Sequence, residues 1–185
     1  MDSIAGLPAH PLVVHGAVVL VPLTALGVLV IAISARASRG VGVVVLGFAV
    51  VSLVFCLLAS KTGEELEETE EETELVEQHA ELGDQMPLFA AVMLVTTGAL
   101  VGADVAARRG GDEPPSWARV TLPALGVVAV LGAGVATWKV VDVGHSGAEA
   151  VWSEESGDDR EGDRDQVDRD RYDDDDGDDA GEDGS

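Results

Sequence analysis

The stretch Leu7–Gly16, LPAHPLVVHG, carries two of the chain's four histidines and marks where the chain first turns apolar. It runs into Leu12–Ile33, LVVHGAVVLVPLTALGVLVIAI, 22 residues without an Asp, Glu, Lys or Arg. At a helical rise of 1.5 Å per residue, such a run crosses a hydrocarbon core about 30 Å thick. Pro11 suits the first turn of that helix, where its missing N–H breaks no bond. Pro22 falls inside the run and is expected to kink it, which neighbouring helices tolerate in a membrane. Working outward from this span, three more apolar runs follow, and the spans are read as residues 11–33, 41–59, 88–105 and 118–141.

Composition agrees with that division. The chain has 185 residues, 46% of them hydrophobic, yet 34 acidic residues give it a net charge of −23. A mean hydropathy of +0.21 at that charge requires apolar and acidic residues to lie in separate blocks. The acids gather in Glu64–Asp84 and after Ser153. So acidic a chain excludes a nucleic-acid partner, which needs a basic surface. The acidity fits a halophilic proteome, in which high salt screens self-repulsion over a few ångströms. Cys56, the one cysteine, excludes an intramolecular disulfide and any CxxC metal site, and it reads as a packing residue.

The segments between spans carry the rest of the organisation. Met1–His10 contains no Lys or Arg, so it does not read as a secretory signal and the first run is expected to be a retained span. SARASRG, Ser34–Gly40, links the first two spans. Residues 62–86 are expected to form an acidic helical excursion from the membrane, with Leu75, His79 and Leu82 on one docking face. Gly42 and Gly47 in the second span, and Gly126, Gly132 and Gly134 in the fourth, are expected points of close helix approach. Gly98 and Gly102 form a GxxxG pair in the third, a route to a homo-oligomer. Asp104 is placed to pair with Arg108 four residues on. Arg109–Pro115 reads as a turn-rich loop. Trp117 and Trp138 bracket the fourth span about 31 Å apart, the placement expected of interfacial tryptophans. Its helix is expected to continue through Asp142, His145 and Glu149 to Trp152. Ser153–Ser185, with 17 acids against 4 arginines, cannot bury enough apolar surface to fold. The expected architecture is therefore an all-α integral membrane protein. It comprises a four-span helical bundle over 1–152 and a disordered acidic C-terminal tail over 153–185.

Arginines set the expected orientation. Arg36 and Arg39 lie between spans one and two, and Arg108, Arg109 and Arg119 between spans three and four. The positive-inside rule puts both links in the cytoplasm and both termini outside. His10, His15, His79 and His145, from three separate segments, then share the outer side of a multi-pass protein of the cell membrane.

LPAHPLVVHG, KTGEEL followed by VEQHAELG, and VGHSGAEAVW resemble the predicted membrane protein family called domain of unknown function 2231. The resemblance covers residues 6–152, in order, spacing and position relative to the four spans. It implies a small four-span membrane protein and supplies no substrate and no catalytic residues.

Two functions are expected from the histidines. In the first, the outer face binds haem or a transition metal for electron transfer to a redox partner. His15 and His145 would face the cofactor, and His10, His79, Asp142 and Glu149 join them as candidate metal ligands. Asp142, His145 and Glu149 share one helical face. Gly144 and Gly147 beside His145 would admit a flat macrocycle or another helix. The alternative is a structural or scaffolding protein whose histidines form a polar cap or a pH-responsive network, with His10 capping the first helix. No GxSxG, HExxH or Walker loop is present, so an enzyme is the weaker reading.

Overall fold

A computed structural model describes residues 3–4, 7–67, 73–109 and 115–175. A short antiparallel pairing of β1 (Ser3–Ile4) with β2 (Leu7–Pro8) precedes five helices. These are α1 (Ala9–Ile33), α2 (Ala35–Glu67), α3 (Glu74–Asp84), α4 (Met86–Arg109) and α5 (Ala118–Asp175). Four are long and apolar enough to cross a membrane. The expected four-span all-α bundle is what forms, with α3 as the short helix outside it.

Three boundaries differ from expectation. The link Ser34–Gly40 shrinks to one residue. Ser34 Oγ accepts from Ala37 N at 3.2 Å, capping α2 as Ser does at a helix start. Arg36 and Arg39 consequently lie in the opening turns of α2. The excursion over 62–86 divides as well: α2 runs on to Glu67, Thr73 caps α3 by accepting from Val76 N, and residues 68–72 between them lie outside the described residues. Finally, α5 does not stop at Trp152 but continues helically to Asp175. Residues 176–185 and most of the Arg109–Pro115 loop are outside the described residues. The chain divides into a unit of Met1–Gly147 and a second of Ala148–Ser185, five residues before the boundary expected.

The bundle has a regular seam. Buried positions include 17, 21, 24, 28 and 31 on α1; 38, 42, 45, 49, 52 and 56 on α2; 86, 90, 93, 97, 100, 104 and 107 on α4; and 126, 129, 133, 136 and 140 on α5, with Val101, Ala118 and Ser146 buried beside them. Alternating steps of three and four residues are the period of helices packed side by side in a left-handed supercoil. Small and polar residues, Ala49, Ala90, Ala129, Ala133 and Ala136 with Thr24, Ser38, Ser52, Thr97 and Asp104, share the seam with larger ones, Val21, Val28, Ile31, Val45, Met93, Leu100 and Val140. Many further large aliphatics face outward, among them Ile33, Val43, Val95 and Val120. An apolar outer face suits lipid, which offers helices no hydrophobic reason to associate and leaves close packing and hydrogen bonds to do so. Thr24 and Ser52 join α1 to α2 at 3.0 Å deep in the bundle.

The helices meet in the order α1, α2, α4, α5. α2 packs on both α1 and α4. α5 closes the ring: a Cβ at Gly126 would stand 3.5 Å from Ala32 of α1, and one at Gly132 would stand 3.3 Å from Thr96 of α4. Gly42 likewise approaches Val101, and Gly98 faces Leu46 of α2, whereas Gly47, Gly102 and Gly134 meet open space. The tightest approach is Gly16, whose missing side chain admits the ring of Phe55 from α2. Gly16→Leu must therefore displace Phe55, and overpacking of this kind costs about 1–3 kcal/mol. The variant is expected to unfold at lower temperature in detergent, with recovery when Phe55→Ala is added. A G16L/F55A protein no more stable than G16L would show that the contact does not set this spacing.

Candidate functional site

The antiparallel bundle brings the start of α1, the end of α2, all of α3 and the middle of α5 to one end. His10 sits in the first turn of α1, ahead of the apolar run, and is half-buried. Its Nδ1 lies 3.0 Å from Thr62 Oγ1 on α2. The Thr62 hydroxyl donates to Leu58 O at 2.9 Å, which leaves its oxygen only an acceptor's role toward the imidazole. His10 therefore carries its proton on Nδ1 and donates it to Thr62. The ring lies against Gly63, where a Cβ would come within 3.3 Å of His10 Cε1.

His79 repeats this arrangement with different helices. It lies on α3, half-buried, with Nδ1 3.0 Å from Ser146 Oγ on α5. Ser146 Oγ donates to Val143 O at 2.9 Å, so again the hydroxyl accepts and the imidazole donates from Nδ1. Gly147 supplies the space: a Cβ there would stand 2.8 Å from His79 Cε1. Each imidazole thus rests on a hydroxyl–glycine shelf, Thr62-Gly63 for one and Ser146-Gly147 for the other. The two sites are electrostatic neighbours. His10 is held below the ordinary histidine pKa of 6.5 first by burial and then by repulsion from His79. Burial lowers His79 as well.

The expected face of Leu75, His79 and Leu82 is the half-buried face of α3, with Glu74, Glu77 and Glu81 exposed. Its far end is tied down by Ser60 Oγ, which donates to Gly83 O at 3.3 Å.

The other candidates fall differently. His10 does not merely cap α1, because it bonds across to α2. His15 is exposed, and its Nδ1 donates to Pro11 O one turn back at 2.6 Å, a contact within its own helix. His145 and Glu149 are exposed on α5. Asp142 is drawn to Lys139 at 3.3 Å, and Lys139 also lies over the rings of Phe89 and Trp138. Of the two neighbours expected at Gly147, the one present is another helix, α3, through His79, and Gly144 meets open space. Among the described residues, no three His, Cys, Asp or Glu side chains form a group that could hold a metal ion. The residues that sequence reasoning missed are Thr62, Gly63 and Ser146. Their only signal was the hydroxyl–glycine dipeptide recurring in KTGEEL and HSGAEA.

The family model described as "Predicted membrane protein (DUF2231)" covers residues 6–160. No curated protein and no solved structure matches the chain.

If Ser146 and Gly147 hold α3 through His79, Ser146→Ala should speed backbone amide exchange across 74–84 by about tenfold, the scale of one lost hydrogen bond. Ser146→Thr, which keeps the hydroxyl, should leave that exchange near the native rate. Identical exchange in the two variants would mean that the bond does not hold α3.

Proposed function

This chain belongs to the DUF2231 family of predicted membrane proteins, and we propose that it serves as a pH-responsive membrane module whose histidines latch a polar cap onto a four-span bundle. The observation that carries this reading is the pair of half-buried imidazoles, each donating from Nδ1 to a hydroxyl on a facing helix. Histidine is the side chain whose charge changes near neutral pH, and burial makes that change costly.

The direction of the response follows from the shifts. Both histidines have folded-state pKa values below the ordinary 6.5, so the folded protein binds fewer protons than the unfolded chain. Stability is then full above pH 6.5 and falls as pH drops through that value, levelling only below the folded pKa values. Charged groups at the same end are Lys61 and Glu64 on α2, Glu74, Glu77, Glu81 and Asp84 on α3, and Lys139, Asp142 and His145 on α5. Hydrogen bonds to the Ala59 and Val143 backbone favour the protonated imidazoles of His10 and His79, but burial of both, with the His79 charge acting on His10, outweighs them in the net direction. With Arg36, Arg39, Arg108, Arg109 and Arg119 at the opposite end, the positive-inside rule faces the cap away from the cytoplasm. There it would sense external acidity.

A second reading rests on the same tautomer. A histidine that donates from Nδ1 presents Nε2 as the metal-type nitrogen, the usual arrangement behind a metal ligand. His10, His15 and His79 all meet that condition, so haem or metal binding for electron transfer is the competing function.

Thermal unfolding of the full chain in detergent between pH 7.5 and 5 separates the two. The native protein is expected to lose stability below pH 6.5, and a His10→Asn/His79→Asn variant, whose amide nitrogens replace Nδ1–H, to lose much less. Parallel pH profiles would remove the latch reading. A Soret band or stoichiometric metal in the native protein, absent from the variant, would establish the second.

A further inference from the structure

We propose that the arginine end of the bundle binds the headgroup of an anionic phospholipid at the junction of α2 and α4. Ser38 Oγ donates to Asp104 Oδ2, crossing from the first turn of α2 to the last turns of α4. Arg108 reaches the same carboxylate oxygen through Nη2 and the Asp104 carbonyl through Nε. Arg39, next along α2 from Ser38, and Arg108, one turn on from Asp104, therefore flank one junction. Asp104 engages two of the five guanidinium N–H groups of Arg108 and leaves three for another acceptor. Arg39 is held back toward its own helix start by Nε donating to Ala35 O at 3.0 Å, which leaves four.

Charge at this end is only partly compensated by protein. Arg36, Arg39, Arg108, Arg109 and Arg119 are all exposed, and among the described residues only Arg108 makes an ion pair. Even with Asp112 and Glu113 of the intervening loop set beside Asp104, five cations face three acids. Helix dipoles act differently on the two groups of arginines. α4 ends here, which suits Arg108 and Arg109 in its last turn, whereas α2 and α5 begin here with Arg36, Arg39 and Arg119 in their opening turns, where the macrodipole disfavours a cation and favours an anion. A phosphate diester at headgroup depth supplies that anion, and bidentate hydrogen bonding to guanidinium is the geometry it prefers. Trp117, exposed in the turn before α5, marks the depth at which headgroups lie.

The net charge of −23 does not oppose this. The acids of the histidine end lie about 30 Å away across the hydrocarbon core, and screening limits their reach to about 8 Å at physiological salt.

The test uses the full chain carrying Trp138→Phe and Trp152→Phe, so that Trp117 alone fluoresces, in nanodiscs containing brominated phosphatidylglycerol or brominated phosphatidylcholine. At 0.15 M salt, quenching should report roughly fivefold enrichment of phosphatidylglycerol around Trp117, the factor one arginine near an anionic surface provides. The enrichment should disappear at 1 M salt and in a further Arg36→Gln/Arg39→Gln/Arg109→Gln/Arg119→Gln variant that retains the Arg108–Asp104 pair. Equal quenching by both lipids, or an enrichment that survives salt, would overturn the proposal, and the salt arm decides on the parent protein if the variant does not fold. Abolition of the enrichment by inorganic phosphate at millimolar concentration would assign the arginines to a free anion and overturn the lipid assignment.

Discussion

Everything in this bundle depends on how closely its helices approach. In lipid the outward valines and leucines gain nothing by turning inward, so association rests on contact area and hydrogen bonds at the seam. The chain meets that constraint with alanine, glycine and hydroxyl side chains at a spacing of three and four residues. Gly16 and Phe55 show the same logic at one point, where the smallest residue on α1 receives a large ring from α2. Polar seam residues are affordable because each meets a partner: Thr24 with Ser52, and Ser38 with Asp104. The Thr97 hydroxyl is the exception, fully buried and unpartnered among the described residues.

The same seam produces the two polar ends. On α2 the line of positions 38, 42, 45, 49, 52 and 56 starts beside the Ser38–Asp104 bond and climbs toward Thr62, where His10 lands. On α5 the line 126, 129, 133, 136 and 140 climbs to Ser146, where His79 lands. In each case the residue after the hydroxyl is glycine, so the imidazole can settle against bare backbone. Two helices with unrelated sequences thus present the same shelf to a histidine from a neighbouring helix. The shelf fixes the tautomer, because a hydroxyl that has given its proton to its own helix can only accept.

Much of this was legible and some was not, for physical reasons. Four spans follow from runs of apolar residues long enough to cross a bilayer, and the Asp104–Arg108 pair follows from helical spacing. The three-and-four rhythm was also present in the sequence, but hidden. The inward positions mix Ala, Gly, Ser and Thr with Val, Met and Leu while the lipid face is apolar as well, so a search for apolar stripes does not single out the inward side. The one-residue link at Ser34 was invisible because Arg36 and Arg39 read as loop residues, although Ser34 is a helix cap. His15 and His145 looked like a facing pair because both lie near one membrane surface. Depth along a helix does not specify the direction of a side chain around it, and His15 turns to its own Pro11 carbonyl. Asp142 could not be assigned from spacing alone, since Lys139 three residues before it competes on the same face.

Magnitudes explain why protonation would act on the cap and leave the spans intact. α3 contains no buried residue, and its described polar ties to the bundle are the His79–Ser146 bond and the Ser60–Gly83 bond. Such bonds contribute on the order of 1 kcal/mol each. Burial already lowers the His79 pKa, so a proton there works against one of the two ties that hold the helix down. The spanning helices are held by a seam many residues long, and removing their backbone hydrogen bonds in hydrocarbon would cost several kcal/mol per group. The weakly held element and the half-buried histidine coincide on α3, which is the arrangement the proposed latch requires.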